Sequence, residues 1–70
     1  MAASAETVLD TRLSLGGRLV DVVQVTGDDP GVIWRCGCGR QSGWPFTSDV
    51  LDPVAQITAI AHTHASTCTN

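Results

Sequence analysis

Lysine and tyrosine are absent from this sequence of 70 residues, and two tryptophans and one phenylalanine are its only aromatic side chains. The basic residues are four arginines, set against seven acidic residues, which gives a formal net charge of -3. Proteins that hold a phosphate backbone gain most of their affinity by neutralising phosphates, and they are usually basic. The charge balance therefore favours another protein, with a basic patch, over nucleic acid as the partner.

The sequence also lacks any apolar run near the ~18 residues that a membrane-spanning helix needs. Residues 1–6 have neither the positive start nor the apolar middle of a secretory signal. We therefore expect a cytoplasmic protein that does not enter membranes and whose thiols stay reduced. No Ser/His/Asp set and no paired carboxylates are visible, so we do not expect an enzyme. The absence of lysine beside abundant alanine, valine and glycine is typical of a GC-rich genome.

The cysteines and histidines, in contrast, are concentrated. All three cysteines and both histidines lie in two short blocks, 36–38 and 62–68. This pattern is expected of residues that gather on one metal ion, and an odd cysteine count suits metal ligation better than a disulfide framework. A core of this size supplies only about 3–5 kcal/mol of net stability, so a structural staple is expected.

Alternating apolar residues predict strands in the first two thirds of the chain. Residues 1–6 are small and polar, which predicts a flexible tail ahead of a single domain over residues 7–70. Period-two alternation then predicts three strands and a weaker fourth, which Gly43 and Pro45 interrupt. The predicted strands cover residues 7–15, 19–25, 32–36 and 41–46. In the third strand Val32, Trp34 and Cys36 share one face.

The first two strands are predicted to form a hairpin. The Gly-Gly pair at 16–17 tolerates the positive φ of a type I′ turn. With a two-residue turn, Leu13 stands opposite Val20, which makes an apolar pair. Arg12 then stands opposite Asp21, which makes a pair of opposite charge.

A helix is predicted at the C-terminal end. Asp52 can cap it and Pro53 can be its first residue, because proline loses no hydrogen bond there, and we expect it to run to about Ala65. Its apolar face steps by three and four residues and ends in two potential metal ligands. The residues on this face are Val54, Ile57, Ala61, His64 and Cys68. His62 lies roughly 200° around the helix from His64, on the solvent side.

These positions predict a structural zinc site. Its ligands are Cys36, Cys38, His64 and Cys68, with His62 as the alternative ligand. Three thiolates and one imidazole close the coordination sphere of Zn²⁺ and leave no position for water. A single residue separates Cys36 from Cys38, so we expect Gly37 and Gly39 to take positive φ and to turn both sulfurs onto one ion.

The predicted fold class is therefore α+β. We expect a small zinc-stapled domain in which an antiparallel β-meander of three or four strands is followed by one C-terminal helix. Zinc clamps the knuckle, residues 36–40, to the end of that helix. The alternative for the knuckle is a disulfide or redox pair between Cys36 and Cys38, for which Arg35 and Arg40 give the only electropositive support.

The motif Trp34-x-Cys36-x-Cys38-Gly39, followed by Ala61-x-x-His64-Ala65-x-x-Cys68, resembles small zinc-finger-like proteins of actinobacteria and of their phages and plasmids. The likeness covers about the second half of the chain. The resemblance implies zinc binding and a non-enzymatic accessory or regulatory module, of a group sometimes presumed to bind DNA.

The functional hypothesis is a protein-interaction or regulatory adaptor. The first alternative, a DNA-binding zinc-finger regulator, needs Arg, Lys, Asn or Gln on the exposed face of the helix. No basic residue lies between Pro53 and Asn70. The second alternative, a thiol redox protein, needs accessible and metal-free cysteines. The candidate binding surface comprises Arg35, Arg40 and Trp44.

Overall fold

The structure is a computed structural model that describes residues 5–47 and 49–70. It contains four strands and one helix: β1 (Ala5–Leu13), β2 (Leu19–Thr26), β3 (Gly31–Cys36), β4 (Gln41–Pro45) and α1 (Pro53–Thr67). The strands form one antiparallel sheet in the order β1-β2-β3-β4. The predicted fold class, an antiparallel β-meander followed by one C-terminal helix, is confirmed, and the weak fourth strand does form.

Several boundaries differ from the predicted ones: the first strand ends at Leu13, the second at Thr26, and the third begins at Gly31. The first strand begins at Ala5, inside the segment expected to be a tail, and residues 1–4 lie outside the described part of the chain. The helix ends at Thr67, two residues beyond the predicted end at Ala65. The fourth strand ends at Pro45 and leaves Phe46 in a turn.

The predicted register of the first hairpin is wrong by one residue. Leu13 pairs with Leu19 and not with Val20, which instead faces Arg12. Asp21 pairs with Thr11, and the Asp21 carboxylate accepts a hydrogen bond of 2.8 Å from the Thr11 hydroxyl. The predicted cross-strand ion pair is therefore absent from this hairpin.

The register shifts because the connection is a five-residue loop, residues 14–18, and not a two-residue turn. The Ser14 amide donates to the carbonyl of Arg18 at 2.8 Å, and the Ser14 hydroxyl oxygen accepts from the Arg18 amide at 3.0 Å. Of the two glycines only Gly17 has positive φ, at 84°, so the type I′ turn does not form. This loop also contacts the end of α1. The amide of Leu15 donates to Ala65 and that of Gly16 to Cys68.

The core lies between the sheet and α1. The strands contribute Val20, Val22, Val32, Trp34 and Cys36, and the helix contributes Ile57, Ala61, Ala65 and Cys68. The sheet residues alternate along β2 and β3, as period two requires of residues on one face. The buried face of β3 is the predicted one, and the predicted helix face packs on it with Ala65 added. Alternation places Cys36 on the core side, and Cys68, which follows the helix, is buried in the same core, so the core ends at two of the cysteines predicted to bind zinc.

The start of α1 follows from two adjacent residues. Asp52 precedes the helix in the left-handed region, with φ of 51°, and its carboxylate accepts a hydrogen bond of 3.3 Å from the Ala55 amide. Pro53 occupies the first helical position, where a missing N–H breaks no hydrogen bond. The predicted cap is confirmed. No helix within residues 5–47 and 49–70 is long and apolar enough to cross a membrane.

Candidate metal centre

The structure brings together the four residues of the predicted zinc site. The sulfur and nitrogen atoms that could bind a metal lie within 4.8 Å of one another, and they belong to Cys36, Cys38, His64 and Cys68. Cys36 ends β3, Cys38 lies in the knuckle, and the other two residues lie at the end of α1. No disulfide joins the cysteines, all three of which the structure describes as free thiols. The group could therefore hold a metal ion.

The knuckle reaches this arrangement with a single spacer residue. The Cys36 amide donates to the Arg40 carbonyl at 2.9 Å, and the Gly39 amide donates to the Cys36 carbonyl at 3.0 Å, which closes a tight turn. Gly39 has φ of 102°, a conformation that side chains rarely adopt. The Cys38 amide then points at the Cys36 sulfur, at 3.5 Å. The prediction of positive φ was right for Gly39 and wrong for Gly37, because one left-handed residue is sufficient to reverse the chain.

The other two potential ligands lie at the C-terminal end of α1, His64 in its last turn and Cys68 directly after it. His64 and Cys68 are four residues apart, so they lie one above the other on the same side. Cys68 follows the last helical residue with extended backbone, yet its amide still donates to the His64 carbonyl at 2.8 Å. The Nε2 atom of His64 lies 3.4 Å from the Cys38 sulfur. This contact is the direct link between the helix and the knuckle.

Two neighbours hold these ligands in place. The ring of Trp34 lies against that of His64, with centroids 4.7 Å apart and planes inclined at 37°. The hairpin loop docks on the same helix end through the Leu15 and Gly16 amides, at 3.0 and 2.9 Å from the carbonyl oxygens of Ala65 and Cys68. The aromatic contact and the hydrogen bonds together restrain the side chain and the backbone of the last turn.

The two knuckle thiols differ in their ionisation. A hydrogen bond from the backbone amide of Arg40 lowers the pKa of the Cys38 thiol to about 6, and its contacts with the other cluster residues act in the same direction. Burial raises the pKa of Cys36 above its usual value. Near neutral pH, Cys38 is therefore ready to bind a cation as a thiolate, whereas Cys36 must lose a proton when it does.

His62, the alternative ligand, lies outside the cluster. Its Nε2 atom lies 2.8 Å from Oδ2 of Asp10 on β1, and its side chain is 36% exposed. The prediction of a purely solvent-facing residue was thus incomplete, because the helix packs close enough to β1 for this contact. The hydrogen bond to His62 lowers the pKa of Asp10. Nothing local in the sequence points to this pair, since its members are 52 residues apart.

The candidate binding surface of two arginines and a tryptophan does not form a single patch. Arg35 crosses the sheet face opposite α1, where its guanidinium lies 3.3 Å from Glu6 and 3.9 Å from Asp21. Trp44 is half-buried and packs against the core. Arg40 is exposed and lines a groove beside α1. Of the three, only Arg40 carries a charge next to the metal cluster.

Three further residues of the motif, Trp34, Ala61 and Ala65, are buried in the same core as the cluster. Their positions explain why the motif contains more than the four potential ligands. Comparisons with known protein families, with curated proteins and with solved structures gave no match. The resemblance to small zinc-finger-like proteins therefore stays a prediction.

Proposed function

We propose that this chain is a small zinc-binding domain that acts as a non-enzymatic protein-interaction adaptor. The observation that carries the metal assignment is the convergence of three thiols and one imidazole within 4.8 Å. Thiolate and imidazole ligands favour zinc among the common divalent ions, whereas magnesium and calcium prefer oxygen. Sulfur and nitrogen ligands of one tetrahedral zinc ion stand about 3.6 Å apart, given bonds of about 2.3 and 2.1 Å. The distance of 3.4 Å between Cys38 and His64 is close to this value.

A structural role for the ion is supported by the number of ligands. Four protein ligands complete a tetrahedral sphere and leave no position for water or substrate, which is typical of structural zinc sites. The cluster also joins the two ends of the core, the knuckle after β3 and the last turn of α1. The ion would link elements that are otherwise held together only by a small core. A metal staple adds most to the stability of a short chain of this kind.

The adaptor role is supported over DNA binding by the surface of α1. The helix carries no arginine or lysine, and its longest polar side chains already have partners. The side-chain amide of Gln56 donates through Nε2 to the Leu51 carbonyl at 2.9 Å, and His62 contacts Asp10. A recognition helix needs such side chains free to reach base edges. Arg35 is also engaged, by two carboxylates on the opposite face of the sheet.

A thiol redox role is disfavoured by burial. Cys36 and Cys68 are only 7% and 8% exposed, so an attacking or resolving thiol has little access to them. Cys38 is more accessible and has a lowered pKa, but the atom next to its sulfur is the His64 nitrogen. This neighbourhood fits metal ligation better than thiol exchange.

Two measurements test the proposal. Native mass spectrometry of the purified protein is expected to show one zinc ion per chain, and a metal-free chain that stays folded would contradict the assignment. Selection from random duplex DNA and from a random peptide library, both on zinc-loaded protein, separates the two functions. We expect enriched peptides and duplex binding no tighter than about 10⁻⁴ M at physiological salt. A preferred duplex bound near 10⁻⁸ M and lost in the Arg35→Ala, Arg40→Ala double variant would favour a DNA-binding regulator instead.

A further inference from the structure

A groove runs between α1 and the knuckle on the side of the metal cluster. It has a volume of about 430 Å³, and we call it the α1 groove. Its lining includes Trp34, Arg40, Ala59, Ile60, Thr63 and Thr67. Trp34 lies in β3, Arg40 ends the knuckle, and the other four residues lie in α1, so the lining comes from regular elements and one tight turn.

One wall of the α1 groove is apolar. Ile60 is 38% exposed and Ala59 is also exposed, although both belong to the helix that packs on the sheet. Neither residue lies on the face of α1 that fills the core. Exposed Ile60 and Ala59 give an apolar side chain of a partner a surface on which it can lose water.

The polar part of the α1 groove offers hydrogen-bond donors. Arg40 makes no ion pair within residues 5–47 and 49–70, whereas Arg12 and Arg35 both do. No acidic side chain lines the groove. A partner that complements the α1 groove therefore carries a negatively charged hydrogen-bond acceptor.

The charges of the groove and of the whole chain further limit the chemical groups that the partner can present. Recognition of a phosphate group usually requires a cluster of arginines, and this groove contains one. The chain as a whole carries a net charge of -3, so a run of acidic residues would be repelled. The electrostatic attraction of Arg40 extends over about one Debye length, roughly 8 Å at physiological salt. This range is sufficient for Arg40 to attract one carboxylate of a bound peptide.

We infer that the α1 groove binds a peptide segment in which an apolar side chain lies next to a single Asp or Glu carboxylate. The apolar side chain packs on Ile60 and Ala59, and the carboxylate accepts hydrogen bonds from the guanidinium of Arg40. This inference rests on the adaptor function proposed above and assigns its surface. It also makes binding depend on the metal, because His64 belongs both to the cluster and to the groove lining.

The test is selection of a random peptide library on the zinc-loaded protein, followed by titration of the enriched peptides. We expect an apolar residue adjacent to one Asp or Glu. Arg40→Gln is expected to weaken binding about tenfold or more, because a hydrogen bond to a charged group is lost. Arg35→Gln removes the same charge from β3, on the face of the sheet opposite α1, so it is the matched control and is expected to bind normally. Circular dichroism checks that both variants fold.

Two further readouts place the peptide in the groove. In a Trp44→Phe background the fluorescence of Trp34 is the only tryptophan signal, and it is expected to change on peptide binding. An Arg40→Glu variant is expected to reverse the preference of the groove and to select peptides with Lys or Arg in place of the carboxylate.

The outcomes separate the inference from the function on which it rests. If the selected peptides bind Arg40→Gln as well as the wild-type protein, the α1 groove is not the docking site, while the adaptor function stands. Selection of basic peptides by the wild-type protein would also overturn the groove assignment. If no peptide is enriched on the wild-type protein or on either variant, the adaptor function fails and the inference fails with it.

Discussion

Metal removal is expected to unfold this domain, because little else holds its sheet and helix together. The described residues include ten buried apolar residues. Two of these, Cys36 and Cys68, belong to the metal cluster, and Ala61 and Ala65 each bury only one methyl group. The aliphatic core between the sheet and α1 is thus three valines and one isoleucine, with Trp34 beside them, while Val23 is buried outside this cluster.

The size of the effect follows from comparing two free energies. A core of this size rarely supplies more than about 3–5 kcal/mol of net stability, and two of its members here, Cys36 and Cys68, belong to the cluster itself. Structural zinc contributes roughly 10–16 kcal/mol at pH 7 when it binds a folded site. Since folded domains have total stabilities of about 5–15 kcal/mol, the metal accounts for most or all of this one. The free energy of unfolding of the metal-free chain is therefore expected to fall to about zero or below.

The loss should begin where the cluster holds the chain. The last turn of α1, the knuckle and the loop of residues 14–18 meet at the cluster, and the Gly16 amide depends on the carbonyl of Cys68 for its hydrogen bond. We expect hydrogen exchange after chelation to quicken first in these segments. The pairing of β1 with β2 lies farther from the cluster, and it is expected to exchange later.

Far-UV circular dichroism and thermal melting, before and after a strong chelator, measure the change. Elemental analysis must show that the metal has left, and re-addition of zinc is expected to restore the spectrum. An unchanged spectrum and an unchanged Tm after proven removal of the metal would refute the reasoning. A His64→Ala variant serves as the control, since chelator should have no further effect on a chain that holds no metal.

Three other predictions concern the site itself. His64→Ala is expected to lose zinc and His62→Ala to keep it, because only the former lies in the cluster; the reverse result in elemental analysis would show that the ligand set is wrong. Zinc affinity, measured by chelator competition, is expected to fall as the pH is lowered. The fall is expected to be steeper below about pH 6, because the Cys38 thiolate, with its lowered pKa of about 6, is also protonated there. A constant slope of zinc affinity against pH would contradict this prediction. Gly39→Ala is expected to lower the free energy of unfolding by about 1–3 kcal/mol, because φ is 102° there. Gly37→Ala is expected to lower it less, because φ is not positive there and the nearest neighbour of the added Cβ is the flexible Arg18 side chain, at 3.3 Å. Equal losses in urea titrations of the two variants would count against a strained turn.

Much of this fold could be predicted because its signals are local. Period two along residues 32–36 places Trp34 and Cys36 on the buried side, since successive strand residues alternate. Asp52 followed by Pro53 marks the start of α1. The Asp52 side chain accepts a hydrogen bond from an amide of the first turn, and Pro53 occupies a position where an N–H would have no partner. Each of these signals depends on neighbours within about four residues.

The cluster could be predicted for the same reason. His64 and Cys68 are one helical turn apart, so a helix of any sequence would place them side by side. Cys36 ends the strand that packs against this helix, and Cys38 follows within the knuckle. In a chain of 70 residues with one helix and one sheet, packing of the helix on the sheet brings these two blocks close together.

Contacts between distant segments were decided only by the tertiary structure. The hairpin register depends on loop 14–18 docking on the end of α1, a contact that no local pattern specifies. The partner of His62 is Asp10, and Arg35 reaches Glu6 across β2, because packing and strand order bring these charges together. The α1 groove likewise exists only once the knuckle lies beside the helix. Such contacts form when the core closes, so their geometry follows from the packing of whole elements and not from the spacing of residues within one.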